Sequence, residues 1–143
     1  MLTLKAGDQL FVNDIFGDIA YQEEGIFIAG GAGITPFVAI FKELNAENKI
    51  GNNKLIFANS TKADIIYNDE FHTMLGSNFI NVLSNDKGEG YEHGYITKEL
   101  LKKYTNQPVK NYYVCGPPPM MEAIEKMLKD LKIDEKSIIK EAY

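Results

Sequence analysis

Three glycines stand within four consecutive positions, Gly30 to Gly33, between a short apolar run and the pair Thr35 and Pro36. Because glycine has no Cβ, the backbone N–H groups of such a turn can approach an anion closely, and the amino end of a following helix adds partial positive charge. Thr35 is expected to cap that helix and Pro36 to be its first residue. The segment predicts either a phosphate-binding turn or a tight strand-to-helix connection that binds nothing.

The spacing of this turn differs from the common dinucleotide-binding fingerprint. Counted from Gly31, the pattern is Gly-x-Gly-x-x-Pro, with Pro36 in the place of the third glycine. No acidic residue ends the next predicted strand, where the fingerprint has a carboxylate for the ribose. These departures disfavour a standard Rossmann dehydrogenase.

Two further segments that could contact the same ligand follow predicted strands. The first is the polar stretch Asn59–Lys62, and the second is Cys115–Met120, in which three prolines follow Gly116. Prolines fix φ and lack N–H groups, so they form a stiff ledge that suits a flat ring. Because the carboxyl ends of parallel strands meet at one edge of a sheet, we expect one ligand to reach all three segments. The alternatives are a solvated loop and a rigid loop before a helix.

The order of elements after Gly25 predicts an α/β fold, a doubly wound parallel sheet of five strands. Asn85–Tyr91 is expected to be a polar loop, and Thr97 to cap the third helix. Residues 1–22 differ and predict a short antiparallel β segment, so the expected units are 1–22 and 23–143. The predicted strands are Ile26–Ala29, Leu55–Asn59, Phe79–Leu83, Tyr112–Cys115 and one at Ile138 and Ile139; the predicted helices are Thr35–Glu47, Asn68–Leu75, Thr97–Tyr104 and Met120–Leu131.

Composition excludes several classes of function. The net charge is −5, and all 15 basic residues are lysines without a basic run, which argues against nucleic-acid binding. A single cysteine, Cys115, excludes an intrachain disulfide, and His72 and His93 have no metal-ligating neighbours in sequence, so no metal is expected. No apolar run reaches the roughly 20 residues of a membrane span. A cytoplasmic protein is therefore expected.

Taken together, the motifs resemble the ferredoxin–NADP reductase family. The resemblance is carried by the segments Gly30–Pro36 and Cys115–Met120 and by a terminal aromatic residue, Tyr143. The stretch Phe57–Ile66 resembles the NADH-using branch, which includes the NADH–cytochrome reductases and flavodoxin reductase-like proteins. The match covers about residues 23–143, and residues 5–17 resemble the last strands of the family's flavin-binding barrel. The arginine-containing flavin motif of the family is absent, because the chain has no arginine.

The resemblance implies roles for individual residues. The catalytic set would consist of Cys115, Glu141 and Tyr143, with Tyr143 stacking on a flavin. The alternatives are that Cys115 is only a small buried side chain and that Tyr143 only packs against the domain. NADH is favoured over NADPH because only Lys62 offers charge near the ribose. The implied cofactor contacts are Gly31, Ala32, Gly33, Thr35 and Pro36 for the pyrophosphate, Asn59, Ser60, Thr61 and Lys62 for the ribose, and Cys115, Gly116, Pro117 and Met120 in the last segment, where the family places a cysteine against the nicotinamide.

The expected function is that of an NAD(P)-binding domain in an FAD-dependent oxidoreductase. In the intact protein, NADH would reduce the flavin, which would pass electrons to a ferredoxin, flavodoxin, haem or iron–sulfur acceptor. A flavin-binding domain, on the same chain or another, would be the immediate partner. The alternative is a non-catalytic nucleotide-binding module, or an electron-transfer subunit completed by another chain. By itself, this chain is expected to be folded, colourless and inactive.

Overall fold

The computed structural model describes residues 21–86, 88, 90–104 and 111–142. These residues alternate between strands and helices along the chain, as the sequence predicts. In chain order the elements are β1 Gly25–Gly30, α1 Thr35–Ala46, β2 Lys54–Asn59, α2 Asn68–Leu75, β3 Phe79–Leu83, β4 Tyr91–His93, α3 Lys98–Tyr104, β5 Asn111–Gly116, α4 Pro118–Asp130 and β6 Ile138–Ala142. The antiparallel segment expected within residues 1–22 lies outside the described residues, except that Tyr21 and Gln22 are not in a strand.

All strand pairs of the sheet are parallel, and their order is β4-β3-β2-β1-β5-β6. The strand order therefore reverses between β1 and β5, which confirms the doubly wound α/β fold. The sheet has six strands rather than the expected five. The additional strand is β4, which pairs Tyr91 to His93 with the last three residues of β3. Three residues, Tyr-Glu-His, are too short to show strand periodicity in a sequence.

Helices cover both faces of the sheet, because alternate residues of each strand point to opposite sides. Helices α1 and α2 pack on one face, where the core is strongly aromatic; its rings include Phe27, Phe37, Phe41, Phe57 and Phe71. Helices α3 and α4 pack on the other face against aliphatic side chains such as Ile28, Ile56 and Val114. Every residue of β1, β3 and β5 is buried. A strand that is buried on both faces reads as a continuous apolar run, which is the signal present at Ile26–Ala29.

The start of α1 differs from the expectation. A single 3₁₀ turn, Gly31–Ile34, precedes the helix, so Ile34 rather than Thr35 occupies the N-cap position. The Thr35 hydroxyl donates a hydrogen bond to the Ala32 carbonyl oxygen at 3.0 Å, within the turn itself. Pro36 stands in the first helical turn, where its missing N–H removes no helical bond. The cap at Thr97 is confirmed, because its Oγ1 accepts from the Leu100 N–H at 3.1 Å.

Candidate functional site

A cavity of about 890 Å³ opens at the carboxyl edge of the sheet. Its walls come from the ends of β1 and β2, from the loops after β3 and β4, and from one face of α4. The edge also contains the point between β1 and β5 where the strand order reverses, which is where open α/β sheets bind their ligands. The three segments predicted from the sequence therefore meet, as expected, at one edge.

The glycine turn forms part of the wall of this cavity. Gly30, Gly31 and Ala32 line it, and the backbone of Gly31 has a φ of +53°, in the region that favours glycine. A Cβ built on Gly30 would meet the sulfur of Met120, so the Met120 side chain covers this glycine. The turn also begins a helix, whose first N–H groups have no partner within the helix. Backbone donors therefore concentrate at this part of the cavity.

Gly33 belongs to the same turn but has a different surrounding. It is buried, it does not line the cavity, and a Cβ at this position would lie 2.6 Å from the carbonyl carbon of Cys115 and 3.0 Å from the Cα of Gly116. The absence of a side chain at Gly33 allows the turn to pack on β5. A larger residue there would therefore disturb the fold of the edge as well as any ligand that it holds.

The segment after β2 is divided between the cavity and its surroundings. Asn59 and Ser60 line the cavity, and the buried Nδ2 of Asn59 has no hydrogen-bond partner in the described part of the chain. Thr61 instead donates from its N–H and its hydroxyl to one carboxylate oxygen of Asp64, both at 3.1 Å. The Lys62 ammonium lies 5.4 Å from the centre of the Tyr91 ring, outside the cavity lining.

Asp64 lines the cavity, although its sequence context reads as part of a solvated surface. It is the only charged side chain among the lining residues that the structure describes. The carboxylate is exposed, and it is held in place by the two hydrogen bonds from Thr61. The local charge of this wall is therefore negative, whereas the sequence predicted a positive contribution from Lys62.

The end of β5 supplies the third wall. Pro117 and Met120 line the cavity, while Gly116 lies beneath Met120, whose sulfur would be 2.8 Å from a Cβ on that glycine. Cys115 is buried beside the cavity rather than in its lining. In the sheet, Cys115 is in register with Ala29 of β1 and Glu141 of β6. Tyr143 lies outside the described residues.

Several lining residues have no counterpart in the sequence predictions. Tyr95, in the loop after β4, is 81% exposed, and Ile66 is 45% exposed. Because β4 is missed in the sequence, nothing places the following loop at the carboxyl edge. Helix α4 adds Ala123, Ile124 and Met127, and their spacing from Met120 is the three- and four-residue pattern of one helix face. That pattern is visible in the sequence, and the cavity shows that only part of the face is covered by the sheet.

The described residues contain neither a candidate metal site nor a membrane-spanning helix. They contain no group of three or more histidine, cysteine, aspartate or glutamate side chains placed to hold a metal ion. None of the helices that the structure describes is long and apolar enough to cross a membrane. The expectation that no metal is bound stays a prediction.

Comparison with known proteins identifies the family of the chain. The family described as "Oxidoreductase NAD-binding domain" matches residues 27–126, more than half of the chain. One subunit of the Na(+)-translocating NADH-quinone reductase of Haemophilus influenzae strain PittEE is 31% identical, over 96% of this chain and 37% of that protein. NADH-cytochrome b5 reductase 1 of Aspergillus terreus is 34% identical, over 92% of this chain and 50% of that protein. The chain thus spans half or less of the length of these relatives.

A solved structure supports the fold. The FAD/NAD-binding domain of nitric oxide dioxygenase from Vibrio cholerae superposes with a TM-score of 0.76, covering 89% of this chain and 55% of that one at 20% identity. Its identity is low, so the likeness concerns the arrangement of strands and helices. With the family match and the glycine turn at the switch point, it confirms the resemblance drawn from the sequence motifs. The chain belongs to the oxidoreductase NAD-binding domain family.

Proposed function

We propose that this chain is the NAD-binding domain of an FAD-dependent electron-transfer reductase that uses NADH. The observation that carries the proposal is the cavity at the carboxyl edge, which joins a glycine turn at a helix start to Asn59, whose Nδ2 has no hydrogen-bond partner among the described residues. An anionic pyrophosphate suits the backbone donors of the turn, and a ribose hydroxyl suits the Asn59 N–H group. Gly33, Thr35 and Pro36 support the turn, and they stay predicted parts of the cofactor site.

The adenine ring has an apolar place in this arrangement. Tyr95 presents an exposed ring to the cavity, and Pro117 and Met120 form a wall of the same cavity. Aromatic stacking of a flat base is worth about 1–3 kcal/mol in nucleic-acid complexes, and a nucleotide cofactor offers the same surface. We therefore place adenine against Tyr95. The nicotinamide is assigned to the Cys115 end of β5, following the resemblance.

The preference for NADH rests on charge. A 2′-phosphate would bring about two negative charges toward the wall that contains the Asp64 carboxylate. The Lys62 ammonium, which the sequence offers as a counter-charge, lies against the Tyr91 ring outside the cavity. Repulsion without compensation disfavours NADPH, and an unphosphorylated ribose avoids it.

The flavin belongs to another part of the intact protein in this proposal. When bound, FAD supplies the step that accepts two electrons from NADH and releases them singly. Residues 1–22 would be the end of the flavin-binding domain, and residues 23–143 the NAD-binding domain. Cys115, with Glu141 in register beside it, would line the place where the two cofactors meet, with Tyr143 as the stacking residue. The acceptor would be a ferredoxin, flavodoxin, haem or iron–sulfur protein, and the location cytoplasmic.

Calorimetric titration of this chain with NAD⁺ tests the proposal. We expect measurable, weak binding, and about a five- to hundredfold loss of affinity in Tyr95→Ala, because the stacking surface is removed. Tyr67→Ala is the matched control, since Tyr67 is also exposed but does not line the cavity. The control should bind as the parent does. No heat of binding in the parent, or equal loss in both variants, would contradict the placement of the nucleotide.

A further inference from the structure

The amino edge of the sheet, opposite the cavity, holds the four described residues that lead into β1 and the first residue of that strand. Tyr21 to Glu24 lie in no helix or strand and Gly25 is the first residue of β1, yet each of these five residues is tied to the domain by a hydrogen bond or a ring contact. Connecting segments on a protein surface are usually less constrained than the elements that they join. This segment is therefore held more firmly than a surface connection usually is, and the contacts that hold it indicate a role beyond joining two elements.

The hydroxyl of Tyr113 is the centre of these contacts. It accepts from the N–H groups of Gln22 and Glu23, both at 3.0 Å, and donates to the Glu23 carbonyl oxygen at 2.7 Å. The side-chain amide of Asn111 lies 3.4 Å from the same oxygen. Tyr113 itself is completely buried in β5, so its position is fixed by the core. One side chain of the core thus holds two successive residues of the incoming backbone.

Asn53 holds the next part of the segment. Its Oδ1 accepts from the Gly25 N–H at 2.8 Å, and its Nδ2 donates to the Tyr21 hydroxyl at 3.2 Å and to the Ile50 carbonyl oxygen at 2.9 Å. The Tyr21 ring is stacked near Tyr113, at 6.1 Å between ring centres and 19° between planes. Tyr21 is consequently fixed by its ring and by its hydroxyl.

We propose that Tyr113 is a positioning residue, which with Asn53 anchors Tyr21–Gly25, the segment through which a preceding domain would be joined to this one. The hydrogen bonds of this anchor do not depend on the proposed function. The identity of the partner does rest on it, because the anchored segment would connect to the flavin-binding domain. Its consequence is that the two domains meet in a fixed relation. Cofactors must be held within fractions of an ångström for transfer between them, and a rigid connection serves that need.

Hydrogen exchange of single amides, measured by NMR on this chain, tests the anchor. In Tyr113→Phe, which keeps the ring and removes the hydroxyl, the amides of Gln22 and Glu23 should exchange about tenfold faster or more, since one hydrogen bond has about this net effect. The amides of Phe27 and Ile28 in β1 should exchange within about twofold of the parent. A protease that cuts after glutamate should cleave the variant faster at Glu23 and Glu24.

Tyr112→Phe is the matched control, because Tyr112 is the neighbouring buried tyrosine and faces the opposite side of β5. It should leave exchange at Gln22 and Glu23 unchanged. Unchanged exchange at these two amides in Tyr113→Phe would overturn the proposal. Equal acceleration in β1 would also overturn it, because the hydroxyl would then serve overall stability only.

Two further measurements complete the test. Tyr21→Phe removes only the hydroxyl that accepts from Asn53, so about threefold faster exchange confined to residues 21–25 is expected even where Tyr113→Phe does not fold; no local change would count against the anchor. NAD⁺ affinity should stay within about twofold of the parent in each folded variant, because the cavity lies at the opposite edge. A parent that binds no NAD⁺ would refute the proposed function and leave the exchange result standing.

Discussion

An asparagine stands at each end of strand β2, and the two side chains differ in their hydrogen bonding. Asn53, just before the strand, is completely buried, and its amide makes three hydrogen bonds at the amino edge. Asn59, the last residue of the strand, has a buried Nδ2 without a partner among the described residues, at the wall of the cavity. A buried polar group whose hydrogen bonds are all made within the chain stabilises the fold. A buried N–H group without a partner can donate a hydrogen bond to a ligand.

The same contrast applies to the two edges of the sheet as a whole. At the amino edge, the side chains of Tyr113 and Asn53 make hydrogen bonds to the backbone of the chain itself. The carboxyl edge combines glycines, exposed apolar side chains and one carboxylate around about 890 Å³ of space. Buried polar groups without partners cost stability in the absence of a ligand. The comparison shows that the Asn53 amide is hydrogen-bonded within the chain at the amino edge, whereas Asn59 Nδ2 at the carboxyl edge has no partner among the described residues.

The largest effect is expected when each of the two asparagines is replaced by leucine in a separate variant. Asn53→Leu should lower the free energy of unfolding by about 3–4 kcal/mol, because it leaves the Gly25 N–H and the Ile50 carbonyl without their partner. Asn59→Leu should leave that free energy unchanged or raise it by up to about 1 kcal/mol, and weaken NAD⁺ binding about five- to tenfold. Urea denaturation and calorimetry measure the two quantities. Similar losses of stability in both variants would remove the distinction.

Gly33→Ala should place a structural cost at the binding edge. The added Cβ would meet the backbone of Cys115, which cannot move away as a flexible side chain can, so the free energy of unfolding should fall by about 2–3 kcal/mol. Gly88→Ala is the control, because there the nearest atom is the Lys62 ammonium nitrogen at 3.1 Å, at the end of a flexible chain. Urea denaturation should show a loss below about 1 kcal/mol for the control. An equal effect in both would show that crowding at β5 is not the cause.

Asp64→Asn should have the smallest effect and should change the selectivity of the cavity. Removing the negative charge from its wall should bring the affinity for NADP⁺ about three- to tenfold closer to that for NAD⁺. Calorimetric titration with both nucleotides measures the ratio, and Asp69→Asn, on α2 and outside the lining, is the matched control. A ratio that Asp64→Asn leaves unchanged would mean that this carboxylate does not face the ribose.

The sequence predicts the doubly wound sheet and the convergence of three segments, because buried parallel strands and glycine turns leave strong local signals. It predicts several residues of the cavity wall but neither the negative charge of that wall nor the contribution of Tyr95. The choice between Lys62 and Asp64 depends on where long side chains point, and the Tyr91 ring that holds the Lys62 ammonium belongs to the missed strand β4. Tyr95 is missed for the same reason. Likewise, Ile34 replaces Thr35 at the N-cap because the 3₁₀ turn begins the helical backbone earlier.

By holding the incoming chain, the Tyr113 anchor would limit the displacement of groups that lie far from it. Strand β1 has six residues, so the anchor and the cavity are separated by about 20 Å, the length of an extended strand of this size. Over such an arm, a swing of about 5° in the incoming chain would displace a rigid group at the far end by about 2 Å, and a misplacement of about 1 Å can slow a transfer step about a hundredfold. Under the proposed function, the Tyr113 hydroxyl would in this way limit how far the two cofactors can be displaced from each other.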